Sequence, residues 1–377
     1  MPPRVMDIIA SSRVFSGGKR HHEIVASLLP ADAVWIDITV PLEAVYEQYK
    51  KYESVVVFAS GDPLFYGFAA TLKREMPDAG IVVYPAANSL QTLAHRMLLP
   101  YADMRCVSLT GRGWEALDEA LIRGEKLIGA LTDHHKTPAA VAARMLEYGY
   151  DNYRITVGEQ LGNEAAERVR MLLLEEASHL GFSTPNCLIL ERLSERFRPM
   201  GLPEGEFELL DGRVNMITKA PIRLLTLSKL DLGRRASFWD IGFCTGSVSI
   251  EARLMFPHLK VTAFEIRPQC EAIIGANARR FGAPGIEVVM GDFLEADLGA
   301  MPSPDAVFIG GHGGHLPEFL KRIREVLLPG GVVVFNSVSE ASREMFEDAV
   351  SAAGMRITGT TRVAIDEFNP IEILRAE

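Results

Sequence analysis

Asp240, Gly242 and Gly246 stand in an Asp-x-Gly-x-x-x-Gly pattern within residues 236–246, Ala-Ser-Phe-Trp-Asp-Ile-Gly-Phe-Cys-Thr-Gly. An apolar run ends on the aspartate, the two glycines bracket a tight turn, and Val248 to Phe256 reads as the helix that follows. A loop of this kind turns unpaired backbone N–H groups towards an anionic group, a carboxylate or a phosphate. The spacing differs from the Gly-x-Gly-x-x-Gly of dinucleotide binders, so it points away from NAD and towards S-adenosylmethionine. Asp240, Gly242, Thr245 and Gly246 are the cofactor-binding candidates of this loop. An ordinary β-to-α turn, with glycines serving geometry alone, is the competing reading of the stretch by itself.

The next elements extend the pattern. Lys260 to Ile266 is expected as a second strand carrying Glu265 near its end. An acid there accepts hydrogen bonds from both ribose hydroxyls of a nucleoside. A third strand, Ile286 to Met290, leads into Gly291-Asp292, where a carboxylate can meet an adenine amino group. Asp305 to Ile309 and Val332 to Asn336 continue the alternation with helices, and two antiparallel strands are expected near Arg362–Ala364 and Ile371–Leu374. The tally is that of a Rossmann-like, seven-stranded class I methyltransferase sheet.

The first half also alternates strand and helix. Ser54 to Ala59 reads as a strand buried on both faces, followed at once by Ser60-Gly61-Asp62-Pro63, where open α/β sheets bind ligands. Further strands are expected at Val34–Ile38, Ile81–Tyr84, Cys106–Leu109, Lys126–Leu131, Arg154–Gly158 and Asn186–Glu191. Ala87-Asn88-Ser89 and Thr137-Pro138 read as helix starts. Residues 199–212, rich in Pro, Gly and acid, form the expected linker, which divides the chain into 1–198 and 213–377.

The chain is 377 residues long with 48% hydrophobic and 23% charged residues, an ordinary soluble composition with room for two or three cores. A net charge of −10 argues against nucleic acid as a general partner. The four cysteines (Cys106, Cys187, Cys244, Cys270) show no C-x-x-C pairing and read as reduced thiols of a cytoplasmic protein. No apolar run reaches the roughly 18–20 residues of a membrane span, and the start, Met1-Pro-Pro-Arg, lacks a signal-peptide core. His21-His22 and His134-His135 are adjacent pairs ill suited to sharing one metal, and no metal is assigned.

Ser60-Gly-Asp-Pro-Leu-Phe-Tyr-Gly67, Ser108-Leu-Thr-Gly-Arg112 and Leu131-Thr-Asp133 with Thr137-Pro-Ala-Ala140 resemble the CbiE-type precorrin methyltransferases. These have the tetrapyrrole-methylase (class III) fold, which holds S-adenosylmethionine between two α/β subdomains. The resemblance implies that Gly61, Asp62, Pro63, Asn88, Ser89, Thr132 and Asp133 lie near cofactor. The family opens with a strand and a Gly-x-Gly loop ahead of the segment resembling Asp7-Ile-Ile-Ala-Ser, whereas this sequence starts within the helix that follows. The family's Pro-Gly turn is Pro85-Ala86 here.

Met216-Ile-Thr-Lys219 with Ile222-Arg223, the stretch Trp239 to Glu251, Phe308-Ile-Gly-Gly-x-Gly-Gly314 and the terminal Asn369-Pro370 resemble the CbiT-type methyltransferases and decarboxylases. The order of the two halves is that of the CobL-type fusion family. It implies S-adenosylmethionine-dependent methylation of precorrin-6B at C5 and C15 with decarboxylation of the C12 acetate, in corrin-ring biosynthesis. The middle glycine expected in the cofactor loop is Cys244, whose side chain crowds the cofactor unless φ is negative and the thiol turns away.

Methyl transfer to an electron-rich bridge carbon is an in-line displacement that depends on alignment, and a base can take the proton released afterwards. A polycarboxylate macrocycle calls for cations, for which Lys219, Arg223 and Arg267 are the candidates. His312 and His315, flanking the loop after the fourth strand, are the acid–base candidates. A homo-oligomer is expected. Three readings stay open at this point: two active methylase halves, one active second half with the first as scaffold, and a precorrin-binding protein without catalysis.

Overall fold

The computed structural model describes residues 3–365 and 370–377, so Asn369 of the terminal motif lies outside the described residues. Short apolar runs become parallel strands in the first half. Val14–Gly17 (β1), Val34–Asp37 (β2) and Val56–Val57 (β3) form a three-stranded sheet in the order β2-β1-β3. Helices Pro3–Ser11 (α1), Lys19–Val25 (α2), Glu43–Tyr49 (α3), Phe68–Glu75 (α4) and Ser89–Arg96 (α5) accompany them. Asn88 starts α5 as expected: its Oδ1 accepts from Gln91 N at 2.8 Å, and the Gln91 side chain accepts from Asn88 N at 3.0 Å.

Two expectations fail here. Ser54–Ala59 is not a continuous buried strand; only Val56 and Val57 pair, and Val55 to Ala59 are half-buried. The strand lies at a sheet edge and, among the described strands, pairs with β1 alone, through Phe15 and Ser16. Ile81–Tyr84 forms no strand, and Val82 is exposed. Its β-branched composition finds no sheet partner to make use of it.

Arg105–Ser108 (β4), Leu127–Leu131 (β5), Tyr153–Glu159 (β6), Arg168–Leu173 (β7) and Asn186–Arg192 (β8) form a five-stranded sheet in the order β4-β5-β8-β6-β7. Glu115–Arg123 (α6), Pro138–Glu147 (α7) and Leu174–Ala177 (α8) lie among them in sequence. Thr137 caps α7 through Oγ1, which accepts from Ala140 N at 3.2 Å. The edge strand β7 was not anticipated; the alternation Arg168-Val-Arg-Met is its only sequence signal. By contacts the chain divides into two compact units: Met1–Asp103 with Val157–Val169 and Pro185–Ile189, and Met104–Thr156 with Arg170–Thr184 and Leu190–Glu377.

The second unit carries the seven-stranded sheet. Its strands are Ser237–Ile241 (β9), Lys260–Glu265 (β10), Ile286–Met290 (β11), Ala306–Ile309 (β12), Val332–Ser337 (β13), Ile357–Val363 (β14) and Ile371–Ala376 (β15), ordered β11-β10-β9-β12-β13-β15-β14. The first five are parallel and β15 runs antiparallel to both neighbours. Alternate residues of a strand face opposite ways, and here both ways are apolar. Trp239, Ile241, Val307, Ile309 and Val333 pack with Leu316, Leu320 and Ile323 of helix Leu316–Val326 and with Phe346 of Glu340–Ala352. Phe238, Phe308 and Val334 pack on the other face with Ile222, Leu227 and Leu230 of Ala220–Leu230 and Val248 of Ser247–Met255. These helices are α12, α13, α9 and α10 in chain order, with Gln269–Phe281 as α11. Among the described residues, no helix is long and apolar enough to cross a membrane.

The stretch 199–212 is not a loose tether. Leu202, Phe207 and Leu210 are buried, and the N–H groups of Gly201 and Leu202 donate to Glu251 of α10 at 2.7 and 3.0 Å.

Candidate functional site

The chain leaves β9 for β10 on one side and returns to β12 on the other, so the loops after β9 and β12 splay apart and open a crevice between them. A cavity of about 1000 Å³ occupies this place, lined by residues from Asn215 to Ile371. Gly242 (φ +78°) runs so close to the β12 loop that a Cβ there would lie 2.6 Å from Gly311 N. Glycine is therefore required by both conformation and space.

Asp240 and Thr245 line the cavity, and both are 1% exposed. Asp240 Oδ2 accepts from Ser249 N at 3.0 Å and from Ser249 Oγ at 2.5 Å. Its Oδ1 and the Thr245 Oγ1 are buried and have no hydrogen-bond partner among the described residues. Buried polar atoms are normally paired, so these two await a partner in the crevice. Burial, reinforced by the nearby Glu265 charge, pushes the Asp240 carboxyl up to about 7. An acid whose folded pKa is raised adds stability that is complete below its unfolded pKa and fades as pH rises through the folded one. The ligand-free chain should thus lose stability from this group between about pH 4 and about pH 7. Asp240→Asn should remove that slope, so thermal melts of the variant should gain on wild type as pH rises through this window. A pH-independent difference would contradict the assignment.

Glu265 is 4% exposed, at the end of β10. Its Oε2 accepts from Cys244 N at 3.0 Å and Arg267 Nη2 at 2.7 Å. Its Oε1 accepts from Ile266 N, Arg267 N and Arg267 Nε at 3.0, 3.1 and 2.9 Å. Burial opposes ionisation, but these donors and the Arg267 charge hold the carboxyl below its ordinary value. Gly291 (φ +127°) donates to the Glu265 carbonyl, and Asp292, in the cavity wall, accepts from Leu294 N at 2.9 Å.

Cys244 adopts φ +50°, contrary to the condition that φ be negative. Its side chain is accommodated by packing with Phe243, Ala263, Cys270 and Ile274 while the residue still borders the cavity. A residue held in the left-handed region costs of order 1–3 kcal/mol, most for β-branched side chains. Cys244→Val should therefore destabilise the chain by about 2 kcal/mol, whereas Cys244→Gly stays within about 1 kcal/mol of wild type because relieved strain offsets lost packing. Urea unfolding of the two variants checks this; equal stabilities would contradict it.

Lys219, His312, His315 and Asn336 also line the cavity. Lys219 begins α9 and donates to Val214 O at 3.2 Å. His312 Nδ1 accepts from Gly314 N at 3.2 Å, so the neutral ring carries its proton on Nε2. Burial, with His315 adding to it, lowers the His312 pKa and favours that neutral form. His315 is exposed at the start of α12. Asn336 was not singled out from the sequence; it is the polar residue near the end of an apolar strand, with its amide 3.0 Å from Thr226 Oγ1.

Two candidates do not face the cavity. Arg223 is fully buried and donates to Glu251 at 2.8 Å, Thr218 O at 2.7 Å and Leu202 O at 2.5 Å. It is a structural cation that fastens residues 199–212 to α9 and α10, not a surface cation for substrate. Gly246 (φ +73°) starts α10 against Ile274, where a Cβ would meet that side chain at 2.3 Å.

In the first unit, Gly61 (φ +62°) lies against Asn88, whose Cα would be 3.3 Å from an added Cβ. Asp62 accepts from Leu64 N at 2.8 Å, and the Pro63 carbonyl occupies the space a side chain on Gly67 would need. Gly61, Asp62, Pro63, Asn88 and Ser89 thus form one neighbourhood. In the second unit, Thr132 O accepts from Thr110 Oγ1 at 3.1 Å, and Asp133 accepts from Gly111, His135 and Lys136 N–H groups. Those bonds, led by the one from Lys136, hold the Asp133 carboxyl down at about 2.

Residues 1–178 match the family of tetrapyrrole (corrin/porphyrin) methylases, and residues 210–376 match the precorrin methyltransferase domain. A Sinorhizobium protein named precorrin-6Y C(5,15)-methyltransferase (decarboxylating) is 36% identical over 337 residues, covering 88% of this chain and 80% of its own. The chain belongs to the precorrin-6Y C(5,15)-methyltransferase (decarboxylating) family. A Mycobacterium tuberculosis protein of that name is 30% identical, over 90% of this chain and 84% of its own. A Salmonella typhimurium cobalt-precorrin-6B C(15)-methyltransferase (decarboxylating) is 42% identical over 122 residues, covering 32% of this chain and 62% of its own. The fold of this family member is accordingly a tetrapyrrole methylase followed by a class I methyltransferase.

Proposed function

We propose that this chain methylates a precorrin at C5 and C15 and decarboxylates its C12 acetate, with S-adenosylmethionine as methyl donor. The observation that carries the reading is the pair of unpartnered buried atoms, Asp240 Oδ1 and Thr245 Oγ1, in a crevice whose floor admits only glycine at 242. Their polarity and the adjoining acids fit a nucleoside with an amino-acid tail. When bound, S-adenosylmethionine supplies an electrophilic methyl group on a sulfonium.

Glu265 and Asp292 would hold the ribose and adenine, and Asp240, Gly242, Thr245 and Gly291 the rest of the donor. Lys219 offers a cation to the carboxylate arms of the macrocycle. His312, with Nε2 protonated and Nδ1 occupied, serves as a hydrogen-bond donor at the acceptor end rather than as a base. His315, exposed to the same cavity, is the better placed group to take the proton released after methylation.

A second donor site in the first half is part of the proposal and rests on the Gly61–Asn88 neighbourhood. Thr132 and Asp133 shape their own loop, since both Asp133 oxygens already accept from backbone. We place the domain division at 199–212, with residues 1–198 and 213–377 as its two parts. A cytoplasmic homo-oligomer acting without nucleic acid suits the free thiols and the net charge of −10. Titration calorimetry with S-adenosylhomocysteine tests the site assignment: two equivalents per chain are expected, falling to one in Glu265→Ala. Absence of binding would overturn the reading.

A further inference from the structure

Glu265 is the acid assigned to the ribose, yet its acceptor capacity is already taken. A carboxylate offers about four lone-pair directions. Five N–H donors converge on Glu265: three from the backbone of Cys244, Ile266 and Arg267, and two from the Arg267 guanidinium. The backbone donors are fixed by the loop after β9 and by the turn after β10. The guanidinium is not, because it sits on a flexible stem with 35% of its side chain exposed, against 2% for Glu265. Its Nε reaches one carboxylate oxygen and its Nη2 the other. Two vicinal hydroxyls make the same two-pronged contact with a carboxylate.

We propose that Arg267 is a displaceable stand-in for the two ribose hydroxyls, and that loading the crevice releases its guanidinium towards an acidic arm of the second ligand. This rests on the reading of the crevice as an S-adenosylmethionine site. The exchange is one for one: two N–H donors leave Glu265 and two O–H donors replace them, while the three backbone bonds stay. Arg267 lines the same cavity as Lys219, His312 and His315, so the guanidinium freed by one ligand stays within the cavity that would receive the polycarboxylate. Occupation by donor and by acidic acceptor then favour each other, and by linkage the effect is reciprocal.

The test is titration calorimetry of the full chain with S-adenosylhomocysteine, with the binding event lost in Glu265→Ala taken as this site. Arg267→Ala should bind roughly five- to tenfold more tightly than wild type, since a partly exposed two-pronged ion pair no longer has to be broken. Arg267→Lys, which keeps the charge but not the fork, should fall between. A carboxylate-armed porphyrin should bind wild type more tightly once S-adenosylhomocysteine is present, and Arg267→Ala should lose that enhancement. Equal or weaker S-adenosylhomocysteine binding by Arg267→Ala, with its circular dichroism unchanged, would overturn the proposal alone. Failure of wild type and both Arg267 variants to bind would overturn the cofactor reading with it.

Discussion

Gly242→Ala is expected to weaken cofactor binding in the second-half crevice by at least about a hundredfold. The added Cβ would lie 2.6, 2.7 and 2.8 Å from the N, O and Cα of Gly311, all backbone atoms that no rotamer change can remove. At φ +78° the alanine is also strained by about 1 kcal/mol or more. The loops after β9 and β12 must therefore shift apart, and that shift moves Asp240, Thr245 and the Gly310–Gly311 backbone out of register with one another. The two strands themselves remain paired through Phe238–Ile241 and Ala306–Ile309, so the sheet survives. Calorimetry should show the loss while the far-ultraviolet circular dichroism stays native. Undiminished affinity in the variant would mean that the crevice does not lie between these two loops.

The second large effect concerns stability rather than binding. Arg223→Ala should cost about 3–5 kcal/mol, because it leaves Glu251 as a buried charge without its cation. Arg223 and Glu251 expose 0% and 2% of their side chains, and the guanidinium also satisfies the carbonyls of Thr218 and Leu202. Glu251 in turn holds the Gly201 and Leu202 N–H groups, so one substitution loosens the whole 199–212 segment from α9 and α10. Replacing both partners with apolar residues of similar size, Arg223→Met with Glu251→Leu, should recover much of the loss, since neither charge is then stranded. Urea unfolding of the single and double variants measures this. A single variant within about 1 kcal/mol of wild type would contradict the role assigned to the pair.

The crevice was legible because its residues sit at strand ends, where period and turn chemistry are strongest. Asp240, Glu265 and Asp292 each close an apolar run, and the structure brings all three to one cavity. Arg223 differs from its expectation for a physical reason: four residues after Lys219 on a helix start it reads as a cation for the carboxylates of the macrocycle, whereas its buried place depends on carbonyls supplied from Thr218 and Leu202. No local spacing reports such partners. The positive φ of Cys244 was equally hidden, since it goes with the donation of its N–H to Glu265, twenty-one positions away. The strand at Arg168–Leu173 escaped because an edge strand with exposed alternate residues carries little apolar signal. At Ile81–Tyr84 the error ran the other way, with strand-like residues left unpaired.

Mass spectrometry of the product formed from precorrin-6B and methyl-labelled S-adenosylmethionine bears most directly on the function. Two labelled methyl groups gained and one carboxyl lost is the predicted result. A macrocycle recovered with its carboxyls intact and no labelled methyl would contradict it.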